Sequence, residues 1–231
     1  LGTQHGSNNF IGEIYDFQIF NHGLTDIQKN ALLDMQIVTN GLVLHLDAEN
    51  PDSYSGSGDT WNDISGNGHH VTLQNKDSIV FDSNYKFFNT GSNGYFSRDH
   101  EVNSNIPTGN SNYTLIVFVN QSVWGNLNGF ISVGGYGSVN GSNALRSNGN
   151  SNSLSHYWWG NDFTASSNQI STDAWLYIVA RFDGTTRSIW VNDELVGSDT
   201  PGNSHNVTSS LIQISRTNEN EYQDSLEFTK G

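Results

Sequence analysis

The residues in this sequence whose types best suit chemistry are aromatic. Tyr157, Trp158 and Trp159 stand in succession after the polar run SVNGSNALRSNGNSNS at 138–153, and Trp124 and Tyr136 belong to neighbouring segments. Exposed indole and phenol rings offer sugar rings an apolar platform, while Asn and Asp oxygens take the hydroxyls. A strand through 154–159 turns successive side chains to opposite faces, so at least one of Trp158 and Trp159 belongs to the core. These five aromatics form the candidate ligand-binding set, and glycans are the partners they suggest.

Asp47, Asp63 and Asn67 offer oxygens that a hard cation such as Ca²⁺ would accept. The plainer alternative has Asp63 and Asn67 capping their own loop, as Asx turns do. His69-His70 lies in the turn SGNGHH and reads as a surface pair rather than a metal site, while His100, His156 and His205 are isolated. Without cysteine there is neither a disulfide nor a thiolate metal site. No G-x-S-x-G elbow marks a nucleophilic serine. Four N-x-S/T sequons occur, at Asn112, Asn120, Asn140 and Asn206.

Such residues need a scaffold, and 231 residues suffice for one large all-β domain with a real core. Nine Lys and Arg stand against 23 Asp and Glu, a formal charge of −14. That balance argues against nucleic acid and anionic membrane surfaces as partners. No apolar run approaches the roughly 20 residues of a membrane helix, so membrane insertion is not expected. The chain begins with Leu1 and carries no charged-then-apolar leader, which suggests a processed chain, a truncation or a window from something longer.

The clearest local structure is WLYIVARFDGTTRSIWVNDELVGS at 175–198. Leu176, Ile178, Ala180 and Phe182 alternate with Tyr177, Val179 and Arg181, Asp183-Gly184 makes a hairpin turn, and Asn192 to Glu194 makes the next. A strand is predicted over 13–20, with Ile14, Asp16, Gln18 and Phe20 on one face and Tyr15, Phe17 and Ile19 on the other. Thr25 or Asp26 caps a short helix over 27–35. Leu42, Leu44 and Leu46 alternate with Val43, His45 and Asp47 in another strand. Further strands fall near 79–81, 95–97, 113–120, 130–133 and 154–159, the spacing of a sandwich. Residues 138–153 read as a long loop or hairpin tip.

The hairpin at 175–198, together with GLVLHLDAENPDSY at 41–54, WNDISGNGHH at 61–70 and GEIYDFQIFNHGLTD at 12–26, resembles the laminin-G-like jelly rolls of the concanavalin A-like lectin and glucanase superfamily. The resemblance implies an all-β, two-sheet antiparallel jelly-roll sandwich with one short helix. Residues 1–35 would supply a closing strand and helix, 36–40 a connector and 41–231 the jelly roll. The family's closing element comes last, whereas here it comes first, so it closes either its own domain or a neighbour's. Residues 214–222 and then 225–228 resemble residues 1–10 and then 13–15, with Tyr222 aligned to Phe10, which suggests one out-of-phase repeat of a tandem array. The glucanase branch carries E-hydrophobic-D-x-x-E on one strand, and no such triplet occurs here. Glu13 and Asp16 have the wrong spacing and are expected on opposite faces.

The function that the resemblance implies is non-catalytic: an extracellular, cell-surface or virion-surface module for adhesion or glycan recognition, with glycans or proteins of a cell or particle surface as its partners. The alternative is a structural assembly protein, a virion, fibre or filament subunit whose N-terminal segment completes a neighbour in a homo-oligomer or tandem array.

Overall fold

The computed structural model describes residues 8–9, 12–25, 28, 38–91, 93–121, 128–148, 152–165 and 170–217. They form a β-sandwich of two antiparallel sheets, and the helical structure described is a 3-10 turn at Lys76–Ser78 and the single residue Gln28. The first sheet runs β13 (Phe163–Thr164), β12 (Leu154–Tyr157), β11 (Ser142–Ser147), β10 (Gly129–Gly134), β17 (Ile212–Ile214), β8 (Tyr95–Arg98), β5 (Val71–Gln74), β4 (Thr60–Trp61). β1 (Asn8–Asn9) pairs with β10 and with β18 (Arg216–Thr217). The second sheet runs β16 (Glu194–Asp199), β15 (Arg187–Val191), β14 (Trp175–Phe182), β9 (Tyr113–Gln121), β2 (Gly12–Phe20), β7 (Phe87–Asn89), β6 (Val80–Asp82). β3 (Leu42–Asp47) shares the free edge of β2 with β7. Among the described strands only the contact between β1 and β10 is parallel.

The meander at 175–198 forms as its sequence dictates. Leu176, Ile178, Ala180 and Phe182 all enter the core. At the first turn Gly184 takes φ 94°, and the Asp183 carboxylate accepts the backbone N–H groups of Thr185 and Thr186 at 3.0 and 2.9 Å. At the second, Asn192 and Asp193 both have positive φ, 46° and 74°, as a two-residue hairpin of this hand requires.

Strand β2 departs from simple alternation. Ile14, Phe17 and Ile19 face the core, because a bulge between Ile14 and Asp16 inserts Tyr15 as an extra residue. The expectation that Glu13 and Asp16 lie on opposite faces is thereby corrected: the bulge leaves both facing outward.

A second correction concerns 138–153. This run is not one long loop, since it contains β11, every residue of which is buried between β10 and β12. Of the predicted helix, the start is visible. Thr25 N–H donates to Gln28 Oε1 at 2.9 Å and Gln28 N–H donates to Thr25 Oγ1 at 3.3 Å, a reciprocal cap that selects Thr25 over Asp26. The remaining residues of the predicted helix, Trp124 and the part of the matched tail segment after Thr217 lie outside the described residues.

Candidate functional site

Three loops meet at one end of the first sheet: those following β10 and β12, and the segment that leads into β17. Asn140 ties them together. Its N–H donates to the Trp159 carbonyl and its own carbonyl accepts the Asn206 N–H, both at 3.0 Å. Its side-chain amide donates to Ser204 Oγ at 2.9 Å and its Oδ1 accepts from Asn161 at 2.8 Å. Asn140 takes φ 64°, a conformation that Asn tolerates better than most residues. The same contacts bury its sequon, while Asn112 and Asn206 remain exposed.

On this frame three of the sequence-nominated aromatics come together. Tyr136 stacks on Tyr157 with centroids 5.6 Å apart and planes at 24°, and Trp159 meets both rings edge-on at 5.7 and 6.2 Å. Tyr157 is buried and serves as the floor, with the Arg146 guanidinium 3.5 Å from its ring centre. Tyr136 and Trp159 are half-buried and face the surface. Burial of the Tyr136 hydroxyl, beside Ser132 and Thr217, raises its pKa well above that of an ordinary phenol. Trp159 adopts φ 61°, where a bulky L-residue is disfavoured by about 1–2 kcal/mol. Val139, 64% exposed, completes the rim against Gly160.

Trp158 is the core member of the tryptophan pair. Fully buried, it donates from Nε1 to the Tyr113 hydroxyl at 2.7 Å. His205 stacks on its ring at 3.7 Å with planes 13° apart, and the Arg187 guanidinium lies 4.1 Å from the ring centre. Burial lowers the His205 pKa to about 4, with the Arg187 charge acting in the same direction. His156, hydrogen-bonded to Tyr113, is held well below its usual value by burial first and by Arg187 and His205 after it. Trp158 is thus sealed away from any surface ligand.

The three oxygen residues nominated for Ca²⁺ are engaged within the protein. Asp63 accepts from the N–H groups of His45, Ser65 and His69 and from Ser65 Oγ, each at 2.9 Å. Asn67 donates to the Leu42 carbonyl at 3.1 Å and accepts from Asn105 at 2.8 Å. Asp47 Oδ1 caps the N–H groups of Glu49 and Asn50, and burial followed by the nearby Asp16 raises its pKa. This donor set does not fit a calcium ion, and among the described residues no cluster of three or more His, Asp or Glu could hold a metal. Of the pair His69-His70 expected at the surface, His69 is instead buried against Asn105, whereas His70 is exposed and its Nδ1 accepts the Asp63 N–H at 3.0 Å.

A second polar group sits on the outward face of β2 and β3. His45 Nε2 lies 3.2 Å from Asp16 Oδ1, and Gln18 donates to Asp16 Oδ2 at 2.9 Å. Burial pulls the His45 pKa down, but the hydrogen bond to Asp16 and the charges of Asp16, Asp47 and Asp63 outweigh it and leave it raised. Glu13 keeps different company: burial, then Asp82 and Asp173, raise its pKa. The two carboxylates of β2 therefore belong to separate neighbourhoods.

Sequence reasoning missed Arg146 and Arg216, which lie on the outward side of the first sheet. Arg146 sits on β11, which carries no strand pattern, and Arg216 follows Ser215, whose φ of 64° breaks the strand run.

No protein family and no curated protein matches the chain. Among solved structures it is similar to the binding domain of botulinum neurotoxin DC in complex with rat synaptotagmin II, at 13% identity and a TM-score of 0.40 over 70% of this chain and 42% of that chain. A chain of botulinum neurotoxin type C, which depends on interaction with two ganglioside molecules to enter cells, is 11% identical with a TM-score of 0.38 over 76% of this chain and 46% of that one. The binding domain of Paraclostridial mosquitocidal protein 1 is 14% identical with a TM-score of 0.30, covering 71% and 43%. The present chain thus spans less than half the length of each. No helix among the described residues is long and apolar enough to cross a membrane.

Proposed function

We propose that this chain is a non-catalytic, laminin-G-like module of an extracellular, cell or particle surface that recognises glycans through Tyr136, Trp159 and the loops joined at Asn140. The observation that carries this reading is Trp159, held in the left-handed region with its ring half-buried at the surface beside Tyr136. A conformation that costs free energy persists where the surroundings enforce it, and such sites cluster where ligands are bound. The product here is a rigid corner of two rings with an apolar Val139 and the half-buried amide of Asn161 alongside. This is the mixture of apolar platform and few polar groups that sugar rings require.

A glycan array with the wild-type chain and with Trp159→Ala and Tyr136→Ala tests it. Binding that both variants weaken at least tenfold supports the reading. Binding unchanged in both would place any glycan site elsewhere, and no binding by the wild type would remove it.

A second reading, a structural subunit, is favoured by one feature: the N-terminal strand β2 lies inside the second sheet, between β9 and the pair β3 and β7. A neighbouring copy's β2 fits the same slot if the connection at 21–41 spans two subunits.

A further inference from the structure

The chain has an excess of carboxylates, so an arginine that lacks one is informative. Five arginines are present and all are described. Arg98 pairs with Glu101, Arg181 with Asp183 at 3.5 Å and Arg187 with Asp199 at 2.6 Å. Arg146 and Arg216 have no carboxylate within salt-bridge distance among the described residues, although each is only 8% exposed. Both instead lie over a tyrosine ring, Arg146 at 3.5 Å from the centre of Tyr157 and Arg216 at 4.4 Å from that of Tyr95. In both side chains Nε is buried without a hydrogen-bond partner, and it is the only nitrogen of either in that condition. Removing a guanidinium from water without a counter-ion is unfavourable, and a protein with 14 surplus negative charges does not lack acids to supply one.

The two arginines diverge across the sheet, Arg146 towards Tyr157 on β12 and Arg216 towards Tyr95 on β8, with β11, β10 and β17 between those strands. Arg146 is the ladder partner of Gly129, and a side chain at 129 would collide with the backbone of Arg216 and Thr217. Ser132 and Thr217 lie beside the Tyr136 hydroxyl on the same side. Asp162, whose carboxylate accepts the Trp158 N–H at 3.0 Å, is near enough to Arg146 to feel its charge.

We infer that Arg146, stacked on the floor of the Tyr136 and Trp159 corner, is an anion subsite, and that the glycan recognised carries a carboxylate, as uronic and sialic acids do. This inference rests on the glycan-binding reading above and narrows it to acidic sugars. A guanidinium stacked on a ring presents its planar edge, which matches a carboxylate with two parallel hydrogen bonds. The sugar ring then packs on Tyr136 and Trp159 while its carboxylate replaces the missing counter-ion.

The test is titration calorimetry of the wild-type chain against uronic-acid and sialic-acid oligosaccharides, their carboxyl-reduced counterparts and a sulfated polysaccharide. Arg146→Gln, Arg146→Lys and Trp159→Ala are compared with it, and a thermal melt of each checks folding. The expected result is binding to an acidic sugar that drops at least tenfold on carboxyl reduction and in Arg146→Gln. Arg146→Lys, which keeps the charge without the fork, should fall between. Equal binding to the acidic and reduced forms, with Trp159→Ala weakening both, overturns the anion subsite and leaves the glycan reading standing. Preference for the sulfated polymer overturns the carboxylate assignment. Binding to none of these and to no neutral glycan overturns both.

Discussion

The Arg187 guanidinium lies 4.1 Å from the centre of the Trp158 ring and donates to both oxygens of Asp199, from Nε at 3.0 Å and from Nη2 at 2.6 Å. Its Nη1 donates to the Asn161 carbonyl at 2.6 Å. Arg187 is fully buried, so a single cation joins the hairpin of β15 and β16 to the loop that presents Trp159.

Asp199→Asn is therefore expected to destabilise the fold by about 3 kcal/mol, because it leaves a buried charge without its partner. Urea unfolding checks this through the shift in midpoint. The double variant Arg187→Met, Asp199→Leu should lose less than Asp199→Asn alone, since it removes both charges together.

The stack of His205 on Trp158 makes stability depend on pH. His205 is neutral in the folded chain because burial lowers its pKa to about 4, whereas the unfolded chain takes up the proton near 6.5. Its contribution is complete above about pH 6.5 and is lost as pH falls from there towards 4, by about 3 kcal/mol, with His156 adding in the same direction. His45 has the opposite sign. Its raised pKa gives stability below about pH 6.5 that is lost as pH rises through the folded value. Melting temperatures between pH 7.5 and 4.5 should fall towards acid, less steeply in His205→Phe and more steeply in His45→Gln.

Trp159 should separate binding from stability. Trp159→Asn keeps a residue that accepts the left-handed conformation, so the relief of strain offsets part of the lost ring contacts with Tyr136 and Tyr157. Its melting temperature is expected within a few degrees of wild type, while glycan binding falls at least tenfold. A collapse of the melting temperature would make Trp159 a structural residue instead.

Legibility in the sequence tracks the strength of the local physical signals. The meander at 175–198 was legible because alternation and turn chemistry agree there. Tyr136, Tyr157 and Trp159 were legible as aromatics near one another, but their division into surface and floor depends on the pleat. Strand β11 was hidden, because SNALRS contributes only Leu145 to the main core and so shows no alternation. Arg146 was hidden with it. The bulge at Tyr15 was equally invisible, since it shifts the face of Asp16 without any glycine or proline to mark it.

Strand β2 decides between a self-contained module and a subunit that exchanges strands. It pairs with β9 along its whole length and with β3 in the register that opposes Asp16 to Asp47 and Ile19 to Leu44. Phe17 and Ile19 are fully buried in the core they share with β3 and β9. Phe17→Ala is expected to cost about 3–5 kcal/mol in urea unfolding. Removal of residues 1–20 would expose unpaired edges on β9 and β3 together, and such edges drive aggregation. Native mass measurement of the full chain and of this truncation is the check. A monomeric full chain with an aggregating truncation means that β2 closes its own sandwich, and the glycan patch then works on an isolated module. A polymeric full chain that becomes monomeric on truncation means that β2 is handed to a neighbour, and assembly becomes the primary role.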